Sequence, residues 1–256
     1  MTLLLYFGVG AFAGLTAGLF GVGGGLVIVP VLIAVYASQQ VPAEILTQLA
    51  VGTSLATIVV TSISSVRAHH KLGNVSWPLV FRLSPGIALG VFLGVQTAAL
   101  VDGSRLQFWF GVFAVFVSIQ MGAELKPNPG RNLPSNTALG NTFLSFAAGI
   151  IGYVSALFGI GGGSLTVPFL SWCNVRMQVV VASSAACGLP IAIVGAFSNI
   201  FVGWGHESLP EHSTGFVYWP AFIGLATASA LFARTGAQLA DKLPPLLLKR
   251  LFAAYL

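Results

Sequence analysis

Gly-Leu-Phe-Gly-Val-Gly-Gly-Gly occupies residues 18–25 and Pro30 follows it, while Ala-Leu-Phe-Gly-Ile-Gly-Gly-Gly occupies residues 156–163 and Pro168 follows it. Residue 18 corresponds to residue 156, and the same offset of 138 holds along the whole run and for the proline. A run repeated at this length indicates that the chain consists of two related halves.

Two further groups of residues recur in the same order in the two halves. The offset between their copies changes only slightly, to 130 residues and then to 142 residues. Three ordered matches indicate duplication of one structural unit. The corresponding residues are Gln48 with Thr53 and Ser54, matched by Gln178 with Ser183 and Ser184, and then Trp77-Pro78, matched by Trp219-Pro220.

The stretch between the copies is polar and rich in Pro, Asn and Gly, as is typical of a linker. We therefore predict a first repeat over residues 1–123, a cytoplasmic linker over 124–135 and a second repeat over 136–256. The last apolar segment holds about 11 residues after Pro245. Since that is short for a crossing, we expect either a partial span or a truncated chain.

The composition places the chain in a lipid bilayer. Hydrophobic residues make up 56% and charged residues 7%, and the mean hydropathy is +0.91, whereas soluble domains carry about 25% charged residues. Residues 1–43 and 132–175 contain no charge, and each window exceeds the roughly 20 residues of one crossing. The net charge of +5 comes from basic residues at segment ends, with no basic face, so we expect no nucleic-acid partner.

The pattern predicts an all-α polytopic membrane protein with about four to five membrane segments in each half. The first helix of each half should be broken or re-entrant at its glycine run. The segments are expected at about Leu3–Val22, Leu26–Ala37, Ile45–Val66, Pro78–Val101 and Leu106–Gly122, and at about Thr137–Ile160, Ser164–Trp172, Met177–Val202, Phe216–Leu239 and from Leu246 onward.

Charge placement predicts that the two halves are inverted in the membrane. If the loop at residues 67–71 is cytoplasmic, an inverted arrangement puts ten of the eleven Lys and Arg residues inside and only Arg105 outside. A parallel repeat would scatter them about evenly. The positive-inside rule therefore favours inversion, which is a common plan for secondary transporters.

The glycine runs do not match nucleotide-binding loops. No Lys-Ser/Thr follows them, and no strand precedes them. A helix that starts at membrane depth instead exposes N–H groups and a partial positive charge, which is an anion site. The alternative is that the glycines only allow close helix packing. The predicted binding glycines are Gly21, Gly23, Gly24, Gly25, Gly159, Gly161, Gly162 and Gly163.

Uncharged polar residues in the next segments are the second predicted part of the site, because hydroxyls and amides donate hydrogen bonds to an anion. Their alternative role is to join helices. These residues are Gln48, Thr53, Ser54, Gln178, Ser183 and Ser184.

The sequence contains no residues placed for a proton relay, for catalysis or for metal binding. The six acidic residues lie in loops or at segment ends, so a proton relay at depth has no carboxylate, and His69 is expected to be a hydrated loop side chain. No Ser/His/Asp set and no cluster of metal ligands is present. We therefore expect no enzymatic activity, no cofactor and no metal.

The doubled glycine runs, with Ala-Val-Gly-Thr-Ser-Leu at 50–55 and His-Lys-Leu-Gly-Asn-Val at 70–75, resemble the TauE/SafE family of sulfite and organosulfonate exporters. The resemblance covers nearly the whole chain. It implies export of small oxidised-sulfur anions across the cytoplasmic (inner) membrane by a multi-pass protein. Val-Ala-Ser-Ser-Ala at 181–185 departs from the family's usual Gly-Thr-Ser pattern.

Alternatives from other classes are a membrane scaffold or subunit, in which the glycines only pack, and a cation or metal permease. The absence of ligands at depth counts against the permease. Assembly as a homodimer is left open.

Overall fold

The computed structural model describes residues 2–122, 138–173 and 175–244, together with residues 247, 248 and 251. Within these residues the chain forms nine helices and one short hairpin. The elements are α1 (Thr2–Phe20), α2 (Gly25–Ser38), α3 (Ala43–Lys71), α4 (Trp77–Leu100), α5 (Gly103–Gly122), α6 (Ala138–Phe158), α7 (Gly163–Trp172), α8 (Met177–Val202), β1 (Ser213–Thr214), β2 (Val217–Tyr218) and α9 (Trp219–Lys242).

The helices form where the sequence has long apolar runs, and five of those described are long and apolar enough to cross a membrane. The prediction of an all-helical, multi-pass membrane protein is therefore confirmed. The five are Leu3–Phe20, Ala43–Lys71, Trp77–Leu100, Gly140–Phe158 and Met177–Val202.

Helices α3 and α8 form the centre of the bundle and pack against each other. In the most apolar window of each, 72% of the residues are buried, against 39% in α6. A helix that is buried on most sides needs small or apolar side chains all round, and both sequences supply them. Because α3 carries Thr53 and Ser54 and α8 carries Ser183 and Ser184, the four predicted hydroxyls lie in the core.

The outer helices pack across the boundary between the halves: α1 lies along α9, and α6 lies along α4. Glycines allow these close approaches, since a Cβ on Gly14 would collide with the carbonyl of Ser229 and a Cβ on Gly152 would collide with the carbonyl of Ile87. Gly14 corresponds to Gly152 and Ile87 to Ser229 in the repeat. The same contact therefore occurs twice, with the roles of the halves exchanged.

Two predictions about the end of α3 are wrong. The residues 67–71, expected as a loop, continue the helix to Lys71, because basic side chains are favourable at a helix C-terminus. His69, expected to be hydrated, is 1% exposed, and its Nε2 donates to the carbonyl of Gly18 at 3.0 Å.

The hairpin of β1 and β2 is a feature that the sequence did not predict. Ser213 pairs with Tyr218 and Thr214 with Val217. The hairpin is folded against the bundle, since the N–H of Phe216 donates to the carbonyl of Asn199 in α8 at 3.2 Å.

Other expectations fall outside the described residues. The predicted linker at 124–135 is one, and of the final apolar segment only residues 247, 248 and 251 are described.

Candidate functional site

Both predicted helix breaks are present, and their backbones differ. Between α1 and α2 the chain turns through three glycines with positive φ, Gly21 (70°), Gly23 (78°) and Gly24 (82°). Only glycine adopts this region without strain. Between α6 and α7 only Gly159 has a positive φ, of 64°, while Gly162 is in the right-handed helical region with φ −56° and ψ −22°.

The two turns lie against each other. A Cβ added to Gly23 would lie 3.0 Å from the Cα of Gly161, and a Cβ added to Gly161 would lie 2.9 Å from the Cα of Gly23. Similarly, a Cβ on Gly25 would collide with the carbonyl of Gly159, and one on Gly163 with the carbonyl of Gly21. The structure thus brings the predicted glycines together, and close packing is one reason for their lack of side chains.

The first-half hydroxyls bind elements of the second half. Ser54 Oγ donates to the carbonyl of Gly159 at 2.7 Å. Thr53 Oγ1 accepts from the N–H of Tyr218 at 3.0 Å, and the hydroxyl of Tyr36 donates to the same oxygen at 3.3 Å. Ser54 therefore touches the second glycine turn, whereas Thr53 holds the residue that precedes α9.

The second-half hydroxyls are arranged similarly, with one difference. Ser183 Oγ accepts from the N–H of Ser76 at 3.1 Å, and Ser76 directly precedes α4 as Tyr218 directly precedes α9. Ser184 Oγ is fully buried but has no hydrogen-bond partner among the described residues. Its counterpart Ser54 has one, so of this corresponding pair only Ser184 has a free buried donor.

The two glutamines are not placed together at the glycine turns. Gln48 Nε2 donates to the carbonyl of Val101 at 3.0 Å, and the neighbouring Thr47 Oγ1 donates to the carbonyl of Gly103 at 2.9 Å. Gln48 therefore fastens the α4–α5 connection to α3. Gln178 is half-buried in the first turn of α8, and its buried Oε1 has no partner among the described residues.

The comparison of the two halves of the sequence did not identify two hydroxyls in the first turn of α7. Ser164 and Thr166 are fully buried, and neither hydroxyl has a hydrogen-bond partner within the described part of the chain. Their first-half counterparts are Leu26 and Ile28, so a search for features shared by the halves passes over them. A search for polar residues present in only one half would have found them.

One of these hydroxyls, that of Thr166, lies close to the backbone of Gly162. A Cβ added at Gly162 would lie 3.3 Å from Thr166 Oγ1 and 3.5 Å from the nitrogen of Gly188 in α8. A Cβ added at Gly188 would in turn lie 3.0 Å from Ser62 Oγ of α3. Three helices therefore bring hydroxyl or backbone groups to the start of α7.

The start of α7 has the chemistry of an anion site. The first N–H groups of a helix lack intrahelical partners and carry partial positive charge. A buried hydroxyl without a partner costs about 1–3 kcal/mol, and an anion with several acceptor oxygens would satisfy such donors. Glu44, Asp102, Glu207, Glu211 and Asp241, the carboxylates that the structure describes, are all exposed. No acidic group among them opposes an anion in the core, and no group of metal-ligating side chains occurs within the described residues.

A multi-pass helical bundle with one broken helix in each half belongs to the architectural class of membrane transporters. Residues 6–256 match the family described as sulfite exporter TauE/SafE, and the chain belongs to that family.

Its relatives carry transporter names. A "Probable membrane transporter protein" of Haemophilus influenzae is 40% identical over 99% of this chain and 95% of its own length. YunE of Bacillus subtilis, also a "Probable membrane transporter protein", is 29% identical over 79% of this chain and 80% of its own. MJ0441 of Methanocaldococcus jannaschii, named likewise, is 25% identical over 93% and 86%. No solved structure matches the chain significantly. The chain is thus a membrane transporter of this family.

Proposed function

We propose that this protein exports a small oxidised-sulfur anion, sulfite or a sulfonate, across the cytoplasmic membrane. The observation that carries the proposal is the pair of fully buried hydroxyls without protein partners, Ser164 and Thr166, at the start of α7. Donors buried in this way are costly unless a ligand accepts from them. Sulfite and sulfonates offer several acceptor oxygens and a negative charge, which suit a helix N-terminus.

The binding site that we propose lies on the second-half side of the paired turns. Its donors are backbone N–H groups of the second glycine turn and nearby hydroxyls. These groups are Gly161, Gly162, Gly163, Ser164, Thr166, Ser184 and Ser62. The first turn completes the floor, because Gly21, Gly23 and Gly25 pack against the second turn. Gly24 lies within the same turn and faces Ala13 of α1.

An inverted arrangement of the two repeats accounts for the exchanged contacts. Thr53 binds the residue before α9, and Ser183 binds the residue before α4. Likewise, the packing of α1 against α9 corresponds to the packing of α6 against α4. Such reciprocity is expected of two units related by a pseudo-twofold axis. If that axis lies in the membrane plane, the paired turns lie near the midplane, where transporters of this plan bind substrate.

Transport and binding assays on matched threonine variants test the proposal. Thr166→Val keeps the shape of the side chain and removes the free hydroxyl. Thr16→Val is the control, since Thr16 is also buried but donates to the carbonyls of Phe12 and Ala13 in its own helix. A hydrogen bond to a charged group is worth about 1.5–3 kcal/mol, so we expect sulfite affinity to fall about 10-fold to 100-fold in Thr166→Val only.

Sulfite efflux from proteoliposomes should decrease in parallel, and the melting temperature of Thr166→Val should equal that of the parent protein. Unchanged sulfite binding and efflux in a folded Thr166→Val protein would contradict the assigned site. A parent protein that moves no sulfite and no sulfonate would contradict the assigned cargo.

A further inference from the structure

The outer surface between α3 and α9 carries a groove of about 340 Å³ that is separate from the glycine turns. Its rim has three basic side chains, Arg67 and Lys71 from the last turns of α3 and Arg234 from α9, and all three are exposed. Its deeper wall is apolar and includes Val60, Ile63 and Ala230. The groove thus has a cationic mouth and a hydrocarbon interior.

The position of the groove matches the boundary between lipid headgroups and acyl chains. Val60 and Lys71 are eleven residues apart on one helix, which at 1.5 Å per residue is about 16 Å along its axis. Lys71 ends the helix at the bundle surface, so the floor at Val60 lies at the depth of the acyl chains when the rim is at the headgroups. A free anion would find donors only at the rim, whereas a phospholipid would fill both parts.

The three cations are available for a ligand. The ion pair found among the described residues joins Arg105 and Asp102, so none of the rim residues is paired with a described carboxylate. Asp241, two turns beyond Arg234 on α9, accepts a hydrogen bond from Asn74 Nδ2 at 2.8 Å. The lining residues include no acidic side chain. Positive charge at this level attracts anionic headgroups, at about 1 kcal/mol for each Lys or Arg.

The groove is also preformed. Ser64 Oγ donates to the carbonyl of Ala230 at 2.6 Å, which joins α3 to α9 at the groove wall. One turn deeper, Thr61 and Ser229 are hydrogen-bonded at 2.7 Å. A ligand that enters between the helices therefore need not separate them, and the basic rim is held in place before the ligand arrives.

From the charge, depth and shape of this groove we infer that it binds the phosphate headgroup of an anionic phospholipid, with an acyl chain along the apolar wall.

Native mass spectrometry of the delipidated protein, titrated with phosphatidylglycerol or phosphatidylcholine, tests this inference. The groove variant is Arg67→Gln with Arg234→Gln. The control, Arg176→Gln with Lys242→Gln, removes the same charge from exposed positions outside the groove lining. Phosphatidylglycerol affinity should fall about 25-fold in the groove variant, from about fivefold for each cation lost. It should change by less than about twofold in the control.

Three results would overturn the inference. Equal losses in the two variants would mean a general effect of surface charge, and no preference of the parent protein for phosphatidylglycerol would mean that no anionic-lipid site exists. If millimolar inorganic phosphate displaced the lipid from the parent, the groove would be a site for free anions. A third variant, Arg67→Lys with Arg234→Lys, keeps the charge and should retain binding. Melting in phosphatidylcholine micelles verifies that each variant is folded.

Discussion

The two glycine turns share a sequence pattern but differ in what their glycines do. In the first turn, Gly21, Gly23 and Gly24 have positive φ, and the residues that follow in α2 are apolar, as Leu26 and Ile28 show. In the second turn only Gly159 has positive φ, and Ser164 and Thr166 present buried hydroxyls. Duplication supplied one motif twice. The first copy shapes the backbone, while the second presents the buried hydroxyls of the proposed binding site.

The two turns should respond alike to substitution at one pair of positions, Gly25 and Gly163. The largest losses of stability are expected there. A Cβ on Gly25 would collide with the carbonyl of Gly159, and a Cβ on Gly163 with the carbonyl of Gly21. Backbone cannot move aside as a side chain can, so the two turns would have to separate. We expect Gly25→Ala and Gly163→Ala each to lower the free energy of unfolding by about 3 kcal/mol.

Unfolding in detergent, followed by circular dichroism, measures both losses. Gly111→Ala is the control, since a Cβ there meets nothing within 4 Å. Near-parent stability of either variant would mean that the turns are not in contact at that position.

Gly24 and Gly162 are at equivalent positions in the repeat, but alanine should affect stability differently at the two positions. Alanine at Gly24 must adopt φ near 82°, which costs about 1–2 kcal/mol, and its Cβ would lie 2.9 Å from the carbonyl oxygen of Ala13. Alanine at Gly162 is in its preferred conformation, and its nearest neighbour is the flexible end of Ile191, at 3.0 Å. Gly24→Ala should therefore lower stability by about 2 kcal/mol, whereas Gly162→Ala should leave it nearly unchanged.

Sulfite binding should show the opposite order. The methyl of Gly162→Ala would lie 3.3 Å from Thr166 Oγ1 and cover the proposed donors, so affinity should fall at least about tenfold. The folded fraction of Gly24→Ala should bind within about threefold of the parent. If Gly162→Ala bound sulfite normally, the site would have to lie elsewhere.

Much of the fold could be predicted because apolar runs, interrupted by glycine, proline or charge, fix where helices begin and end. Helix α8, for example, was expected and found at Met177–Val202. The last turns of α3 were missed because Arg67 to Lys71 read as a polar loop, although basic residues suit a helix end. The hairpin at Ser213–Tyr218 was missed because two-residue strands depend on contacts with the bundle rather than on local pattern.

The site was predictable only in part, since the repeat identified what the halves share. It located both turns and the core hydroxyls, but it could not separate Ser54, which has a partner, from Ser184, which has none. It also included Gln48, whose hydrogen bond to Val101 depends on how α4 returns to α3. Ser164 and Thr166 were missed because they have no polar counterpart in the first half. The sequence contains this asymmetry, but only the structure shows that their hydroxyls are buried without a partner.

The smallest expected effect compares Ser54 with Ser184, the corresponding serines of α3 and α8. Ser54 donates to the carbonyl of Gly159, so Ser54→Ala should lower stability by about 0.6 kcal/mol, the average for such bonds in a membrane. Ser184 has no partner among the described residues, so Ser184→Ala should not lower stability. If its free hydroxyl donates to the transported anion, sulfite affinity should fall about tenfold in Ser184→Ala. Ser54→Ala should alter affinity less, because its hydroxyl already has an acceptor.

Calorimetric sulfite binding and detergent unfolding on the same preparations provide both quantities, the affinity for sulfite and the free energy of unfolding. A larger loss of affinity in Ser54→Ala than in Ser184→Ala would place the anion against the first half instead. It would also mean that the free hydroxyls of the second half do not bind the anion and have only a structural role.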